Sequence, residues 1–162
     1  MRLETERLLI RKFELKDLQA VYEYTSDAKV MKYIPEGVFK EEAVKEFIQQ
    51  NMGEEAEKFA VILKGENLLI GHIFYEIGWV FNPKFYNKGY ASESAKAMLE
   101  KEFEKMKLHR IIATCQPQNT PSYRVMEKIG MRREGYFKKC IPSGDEWWDE
   151  YYYALLEEEW KS

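Results

Sequence analysis

Hydrophobic positions in the first half of the chain recur at two different intervals. Some segments are short and rich in β-branched or aromatic residues, which favours strands, and others repeat apolar residues every three or four positions, which favours amphipathic helices. A Lys-Gly-Glu-Asn turn at residues 64–67 joins two strands into a hairpin. The predicted strands are Arg7–Phe13, Phe59–Leu63, Leu68–Tyr75 and Glu76–Phe81, and the predicted helices are Leu15–Thr25 and Glu41–Met52.

The second half of the chain continues the alternation with two helices and three strands. Thr120-Pro121 supplies an N-cap and a first-turn proline, and Gly130 stands where a helix commonly ends. The order β-α-α-β-β-β-α-β-α-β-β predicts an α+β protein of mixed α/β character, with helices on both faces of one mixed sheet, as a single domain over residues 1–162. The helices are Ser92–Met106 and Ser122–Ile129, and the strands are His109–Cys115, Met131–Cys140 and Trp147–Leu156.

Composition narrows the class of protein. Lys and Arg total 25 and Asp and Glu 28, a net charge of −3, and 45% of the 162 residues are hydrophobic, as in globular domains. This balance argues against non-specific nucleic-acid binding, which depends on clustered basic residues. No apolar run reaches the roughly 18–20 residues of a membrane span, and the charged start of the chain lacks the apolar stretch of a signal peptide. We expect a cytoplasmic protein, monomeric or homodimeric, with no nucleic-acid or membrane partner.

Cysteine and histidine content limits the chemistry further. Cys115 and Cys140 form no C-x-x-C pair, and His72 and His109 are too far apart for the usual zinc patterns, so no metal site is predicted. A covalent mechanism at Cys115 would need a paired base, and His109 lies six residues earlier on the same predicted strand. We therefore expect no cysteine nucleophile and a structural role for His72.

A glycine-containing segment lies between a predicted strand and a predicted helix. Asn87-Lys88-Gly89-Tyr90-Ala91-Ser92 has the small residues that let backbone N–H groups converge, and the helix dipole adds partial positive charge at the same place. Such a nest binds phosphate, and Lys84 and Lys88 add local positive charge. The alternative is a tight strand-to-helix turn that only needs glycine at positive φ.

Four motifs in order along the chain resemble the GNAT N-acetyltransferases, and within them the RimJ/RimL type that acetylates ribosomal-protein N-termini. The opening Thr5–Leu8 and the closing Trp148–Glu150 fit the same group, so the resemblance covers nearly the whole chain. The four motifs are Glu76–Pro83, Gly89–Glu93, Asn119–Ser122 and Glu127–Met131.

This resemblance implies a mixed, mostly antiparallel seven-stranded sheet that splays between its fourth and fifth strands, with acetyl-CoA in the cleft and CoA as a product. The family's Q/R-x-x-G-x-G/A loop reads Tyr86-x-x-Gly89-x-Ala91 here, a departure at its first position. The implied cofactor-binding residues are Trp79, Val80 and Phe81 for the pantetheine arm, Asn87, Lys88, Gly89, Tyr90, Ala91 and Ser92 for the pyrophosphate, and Asn119 and Ser122 beside the arm.

Acetyl transfer needs a neutral amine and a proton for the leaving thiolate. A free α-amine has a pKa of roughly 7.7–8.0 against about 10.4 for lysine, so an α-amine acceptor needs only a weak base. Glu76 heads the cleft-lining strand and is the predicted base, or else an ordinary solvent-facing carboxylate. Ser122 is the predicted hydrogen-bond donor to the sulfur, or else a common first-turn serine. Asn119 contacts the cofactor or only caps its helix.

Two positions depart from the family's catalytic pattern. Met126 stands where many members carry a tyrosine acid, and Ile141 where RimL-type proteins can carry a glutamate. Nearby acids could substitute or bind a cationic acceptor, or form a solvated hairpin; they are Asp145, Glu146, Asp149 and Glu150. In addition, Tyr75 runs into Glu76 without turn residues, which indicates either a tight hairpin or an absent loop.

Three functions follow as hypotheses. The first is an acetyl-CoA-dependent N-acetyltransferase acting on a protein N-terminal amine by direct transfer in a ternary complex. The second keeps the chemistry but takes a small amine, such as a polyamine, an amino sugar or an amino-acid-like compound. The third is a non-catalytic acetyl-CoA-binding module that lost its acid at Met126.

Overall fold

Strands and helices alternate along the residues that the computed structural model describes, 1–75 and 77–161. Short 3₁₀ helices occur at Leu15–Asp17, Met31–Tyr33 and Pro83–Phe85, and a π-helical turn at Lys101–Lys105. The strands are β1 (Arg2–Glu4), β2 (Leu8–Arg11), β3 (Lys58–Leu63), β4 (Leu68–Phe74), β5 (Gly78–Phe81), β6 (Arg110–Cys115), β7 (Arg132–Ser143) and β8 (Glu146–Leu156). The helices are α1 (Leu18–Thr25), α2 (Glu41–Gln50), α3 (Tyr90–Glu100), α4 (Thr120–Lys128) and α5 (Glu157–Trp160).

The chain divides into two compact units, Met1–Ala97 and Met98–Ser162. The first unit holds a five-stranded antiparallel sheet in the order β1-β2-β3-β4-β5. Five consecutive residues of β3, Phe59–Leu63, are buried, which explains why this strand reads as a continuous apolar run rather than as an alternating one. Its core cluster combines Val21 and Tyr24 of α1 with Phe47 and Ile48 of α2.

A glycine sets the fit between β4 and β5. A Cβ added to Gly71 would lie 2.5 Å from the Val80 carbonyl oxygen and 2.8 Å from the Phe81 Cα, so only glycine allows this pairing without displacement. Gly71 lies opposite Phe81 in the register, and Phe74 lies opposite Gly78. The alternatives of a tight hairpin and an absent loop concern Glu76, which lies outside the described residues. β5 forms one edge of this sheet.

The second unit holds a three-stranded antiparallel sheet in the order β6-β8-β7. Exposed and buried residues alternate strictly along β6, as expected for a strand with one covered face. The β7 strand carries two irregularities, between Arg133 and Gly135 and between Phe137 and Ile141. Lys139 within the second one has φ 48°, a left-handed conformation that bends the strand.

The predicted order of elements is confirmed, with differences at their ends. All seven predicted strands are present, and the structure adds the short β1 and the terminal α5. The predicted helix Ser92–Met106 corresponds to α3 followed by the π-helical turn. α3 begins two residues earlier than predicted, at Tyr90. The predicted N-cap at Thr120 is wrong: Asn119 is the N-cap, and its carbonyl oxygen accepts hydrogen bonds from Ser122 and Tyr123.

Within the described residues, no helix is both long and apolar enough to cross a membrane. The assignment of residues 1–162 to a single domain stays a prediction.

Candidate functional site

The predicted phosphate loop follows β5 and is held in place by a buried asparagine. The Asn82 backbone N–H donates to the Ile70 carbonyl at 2.9 Å, which ends the strand pairing. Its side-chain oxygen accepts from the Lys84 backbone N–H at 3.1 Å and so caps the 3₁₀ turn Pro83–Phe85. The chain then enters residues 86–89, and α3 begins at Tyr90. The Asn-Pro pair therefore sends the backbone off the sheet edge and into the loop.

The backbone of this loop leaves a series of amides unpaired. Asn87 has φ 60° and Gly89 has φ 82°, both left-handed conformations. No hydrogen bond among the described residues uses the backbone N–H groups from Asn87 to Ser92, and Glu93 is the first to donate, to the Gly89 carbonyl at 3.0 Å. Such alternating conformations turn successive N–H groups into a concave nest, and the start of α3 adds the helix dipole. The arrangement fits a pyrophosphate.

The two lysines predicted to add positive charge at the loop differ, because the charge of Lys84 is offset by a carboxylate. Lys84 Nζ lies 2.5 Å from a Glu23 carboxylate oxygen, and this contact holds the pKa of Glu23 below its usual value. Its positive charge is thus offset. Lys88 Nζ lies 5.4 Å from the centre of the Phe85 ring, within the loop itself.

An ion pair distant in sequence fastens the loop to the start of the chain. The Arg7 Nε donates to Glu93 Oε2 at 2.7 Å, and its Nη1 donates to the Lys88 carbonyl at 3.0 Å. The Arg7 backbone N–H and the Thr5 hydroxyl both bond the other oxygen of Glu93. Partial burial would raise the pKa of Glu93, but these hydrogen bonds outweigh it and hold the pKa below its usual value. Sequence reasoning recorded Thr5–Leu8 as part of the resemblance and assigned it no role.

The three predicted pantetheine-binding residues of β5 are not equivalent. Because the Asn82 N–H points toward β4, alternation along an antiparallel strand turns the N–H and C=O of Val80 toward β4 as well. The polar backbone groups of Trp79 and Phe81 point the other way, to the edge that no strand of this sheet covers. Trp79 and Phe81 can thus offer main-chain hydrogen bonds to an extended ligand, and Val80 cannot.

Asn119 and Ser122 lie at the start of α4 in the second unit. The Asn119 side chain makes no capping hydrogen bond. The alternative in which Asn119 serves only to cap its helix would need such a bond. Ser122 is half-buried and lies beside the Cys115 thiol of β6. Burial raises the pKa of that thiol to about 11, although the Ser122 contact acts in the opposite direction. The thiol is protonated at neutral pH, and the absence of a cysteine nucleophile stays a prediction.

Tyrosines surround this part of α4, and sequence reasoning missed two of them. Met126 is buried, and the Tyr123 ring packs edge-on against Tyr151 with centroids 5.8 Å apart. The Tyr153 hydroxyl donates to Glu127 Oε1 at 2.9 Å, and burial together with this carboxylate raises the pKa of Tyr153. Tyr151 and Tyr153 lie opposite Cys115 and Ala113 in the register, a face that the two-residue periodicity of β8 could have revealed.

The acids of the last hairpin differ in their surroundings, since one is hydrogen-bonded within the hairpin and others are exposed at its tip. Asp149 accepts hydrogen bonds from the Tyr136 hydroxyl and, at 2.8 Å, from the Lys139 backbone N–H. The Tyr136 contact is the main cause that holds the pKa of Asp149 below its usual value. Asp149 therefore fixes the irregular part of β7. Asp145 and Glu146 are exposed at the hairpin tip.

Glu76, the predicted base, lies outside the described residues.

Comparison with known proteins gives one consistent family. Residues 7–132 match the family model for the acetyltransferase (GNAT) domain. YnaD of Bacillus subtilis, an uncharacterized N-acetyltransferase, is 69% identical over 169 residues, covering 99% of each chain. A crystal structure of a GNAT-family acetyltransferase from Bacillus anthracis has a TM-score of 0.93 and 69% identity, covering 98% of this chain and 99% of that one.

More distant relatives carry named acceptors. The [ribosomal protein uS5]-alanine N-acetyltransferase of Escherichia coli is 27% identical over 84 residues, 52% of this chain and 43% of that protein. Spermidine N-acetyltransferase from Vibrio cholerae, solved with CoA and spermine, has a TM-score of 0.81 at 20% identity, covering 98% of this chain and all of that one. At that identity the likeness concerns the fold alone.

Proposed function

The chain belongs to the GNAT acetyltransferase family and is an acetyl-CoA-dependent N-acetyltransferase, and from that premise we propose that it acetylates the α-amine of a protein or peptide N-terminus. The observation that carries the cofactor site is the run of unpaired amides from Asn87 to Ser92. We assign the pyrophosphate of acetyl-CoA to these amides. A cytoplasmic location, and a monomeric or homodimeric state, belong to the same proposal.

The pantetheine arm is assigned to the outer edge of β5. The outward N–H and C=O groups of Trp79 and Phe81 support this assignment, because an extended ligand can pair with them as an added strand would. Gly71 supports it indirectly, since it fixes where β5 lies against β4. Asn119 and Ser122 are assigned to the cofactor as well, and the uncommitted Asn119 amide agrees with that role.

Bound acetyl-CoA supplies the acetyl group in activated thioester form, and the residues of this chain orient it and manage the protons. Because burial raises the pKa of the Cys115 thiol to about 11, no thiolate stands there at neutral pH to take the Ser122 proton, which leaves that proton for the departing sulfur. Tyr153 is not assigned as the acid, because its hydroxyl proton is held by Glu127. Glu76 is retained as the base on sequence grounds.

The acceptor is argued from acid–base chemistry and from how the acidic side chains are used. An α-amine is partly neutral near pH 7 and needs only weak assistance, whereas a lysine or polyamine amine needs a stronger base or paired carboxylates. One of the hairpin acids considered for a cationic acceptor is engaged internally, since Asp149 binds Tyr136 and Lys139.

A small-amine acceptor is the second candidate. The exposed acids Asp145 and Glu146 favour it, since carboxylates at a hairpin tip can attract a polycation. The fold shared with the Vibrio cholerae spermidine enzyme gives it a precedent within this architecture. A non-catalytic role, suggested by Met126, is the third outcome that the experiment below separates.

CoA release should be followed with a thiol reagent while acceptors are varied. The panel is a peptide with a free N-terminus, the same peptide with an acetylated N-terminus and an internal lysine, and spermidine. We expect release with the free N-terminus and none with the blocked peptide. Faster release with spermidine than with any peptide would replace the proposed acceptor, and binding of CoA without release in any arm would make the chain a binding module.

A further inference from the structure

Arg7 contacts the phosphate loop both at its backbone and at an aromatic side chain. Its Nη1 donates to the Lys88 carbonyl oxygen at 3.0 Å, and its guanidinium carbon lies 4.6 Å from the centre of the Tyr90 ring. The place where a Cβ on Gly89 would stand is 3.5 Å from Arg7 Nη2. The guanidinium therefore contacts three consecutive residues of the loop, from a position 81 residues earlier in the chain.

The contact with the Lys88 carbonyl determines where an amide points. The Lys88 C=O and the Gly89 N–H belong to one trans peptide unit, so they point in opposite directions. Because Arg7 holds the carbonyl on its own side, the Gly89 N–H is directed away from Arg7. Gly89 at φ 82° has a broad conformational range, and this hydrogen bond selects one orientation from it.

The second contact concerns charge. Glu93 lies in the first turn of α3, where a carboxylate stabilises the helix but repels an incoming anion. Arg7 Nη2 lies 2.6 Å from Glu93 Oε2, and Arg7 Nε and the Arg7 backbone also donate to this carboxylate. The pair offsets the negative charge of Glu93 beside the unpaired amides.

We propose that Arg7 is a positioning residue of the cofactor site: it orients the Gly89 amide toward the pyrophosphate and neutralises Glu93 beside it. The inference rests on the proposed assignment of the loop to acetyl-CoA. Arg7 touches neither the reacting atoms nor, in this account, the cofactor itself. Its effect should consequently depend on the diphosphate of the acetyl donor and not on the acetyl group.

Comparing two acetyl donors separates that effect from a general loss of structure. Acetyl-CoA carries the diphosphate, and acetyl-pantetheine has the same thioester without it. With Arg7→Met we expect kcat/KM for acetyl-CoA to fall about 10- to 100-fold, the usual range for a lost charge-assisted hydrogen bond. For acetyl-pantetheine we expect a change below about twofold, since the reaction geometry is kept.

Further variants keep the test informative if Arg7→Met folds poorly. Arg7→Lys retains the charge beside Glu93 but not the fork that also reaches Lys88, so its loss should be intermediate. The double variant Arg7→Met with Glu93→Gln should bind CoA more tightly than Arg7→Met alone, because no unpaired carboxylate faces the anion. Arg2→Met is the matched control, since Arg2 pairs with the exposed Glu4 nearby and with no other acid among the described residues, and it should behave as the parent.

The outcomes distinguish this inference from the function on which it rests. If the parent protein fails to bind CoA, the cofactor assignment is wrong and Arg7 has no such role. If the parent binds CoA and Arg7→Met binds it equally well, the positioning role alone is overturned. Equal losses for acetyl-CoA and acetyl-pantetheine, together with a lower Tm, would reduce Arg7 to a structural residue.

Discussion

The two regions that carry candidate site residues use different parts of the polypeptide. In the loop Asn87–Ser92 of the first unit, the groups offered to a ligand are backbone amides, and side chains from elsewhere hold them in place. In the first turn of α4 in the second unit, the groups are side chains, with Ser122 beside Cys115. A backbone site tolerates side-chain variation, whereas a side-chain site changes its chemistry with each substitution.

This difference explains which departures from the family pattern matter. Tyr86 replaces the usual Gln or Arg at the loop, and the unpaired amides that follow it are still present. Met126 replaces a tyrosine acid on α4, and its buried thioether cannot donate a proton. The amides of the loop therefore do not depend on the residue at position 86, whereas the change at position 126 removes one candidate proton donor from α4.

The largest effect is expected from Gly89→Val, which attacks the backbone site directly. At φ 82° a β-branched residue is strained, so the loop must move and its amides no longer converge. We expect the Kd for CoA, measured by calorimetry, to rise at least about 100-fold, equivalent to roughly 2.7 kcal/mol.

Gly53→Val is the control for that substitution. Gly53 has an ordinary φ, and nothing lies within 4 Å of the position of its Cβ, so binding and folding should match the parent. Parent-like CoA affinity in Gly89→Val would mean that the loop is a tight turn and not a phosphate site.

A smaller effect is expected from Ser122→Ala in the side-chain region. If the hydroxyl donates to the departing sulfur, kcat should fall by about 10- to 100-fold while the KM for acetyl-CoA changes less than threefold. Steady-state kinetics with the preferred acceptor measure both parameters. A rise in KM with unchanged kcat would instead assign Ser122 to cofactor contact.

Sequence reasoning succeeded where local patterns determine the structure. The order of elements, the loop before α3 and the glycine at the end of α4 all follow from short-range propensities and turn chemistry. The contact of Arg7 with Lys88 and Glu93 could not be predicted, because it depends on how distant segments pack. The backbone direction of Val80 depends on strand register, which periodicity alone does not give.

The second unit shows the same limit for side-chain sites. The contact between Ser122 and Cys115 joins a helix to a strand, and although the sequence singled out each residue, it did not indicate that the two lie together. The N-cap of α4 lies at Asn119 and not at Thr120 because the helix already begins at Thr120, and the Asn119 side chain takes no part in capping. Local propensity does not determine such contacts and helix ends; tertiary packing does.

The sheet that supports the backbone site should weaken in acid. His72 lies opposite Val80 in the register, and its Nδ1 is 2.7 Å from the Tyr24 hydroxyl within an apolar core. Burial, with a smaller contribution from Lys58, lowers the pKa of His72 to about 3 from 6.5. Below pH 6.5 the unfolded chain binds a proton that the folded chain does not, so stability falls as pH falls, by about 1.4 kcal/mol per pH unit, down to about pH 3.

Urea unfolding between pH 7 and pH 4 measures this slope. In His72→Phe the contribution should disappear, leaving a flatter pH dependence whatever the absolute stability of the variant. CoA binding by the parent should decline with the folded fraction over the same range. An unchanged slope in His72→Phe would show that other groups control the acid sensitivity of the first unit.

The smallest effect is expected from Cys115→Ala, which tests how the side-chain site is organised. The thiol lies beside Ser122, and removing it leaves the serine hydroxyl intact but less firmly positioned. Losing a weak polar contact costs no more than the roughly 0.5–1.5 kcal/mol of a hydrogen bond between uncharged groups, so kcat should fall by at most about 3- to 10-fold, less than in Ser122→Ala. Cys140→Ala is the matched control, because Cys140 is an exposed free thiol on β7, and its kcat should equal that of the parent.

In the double variant Cys115→Ala with Ser122→Ala the kcat should equal that of Ser122→Ala alone, since the cysteine acts only through the serine. Fully additive losses would instead give Cys115 a separate role and would show that Cys115 and Ser122 do not act as one unit.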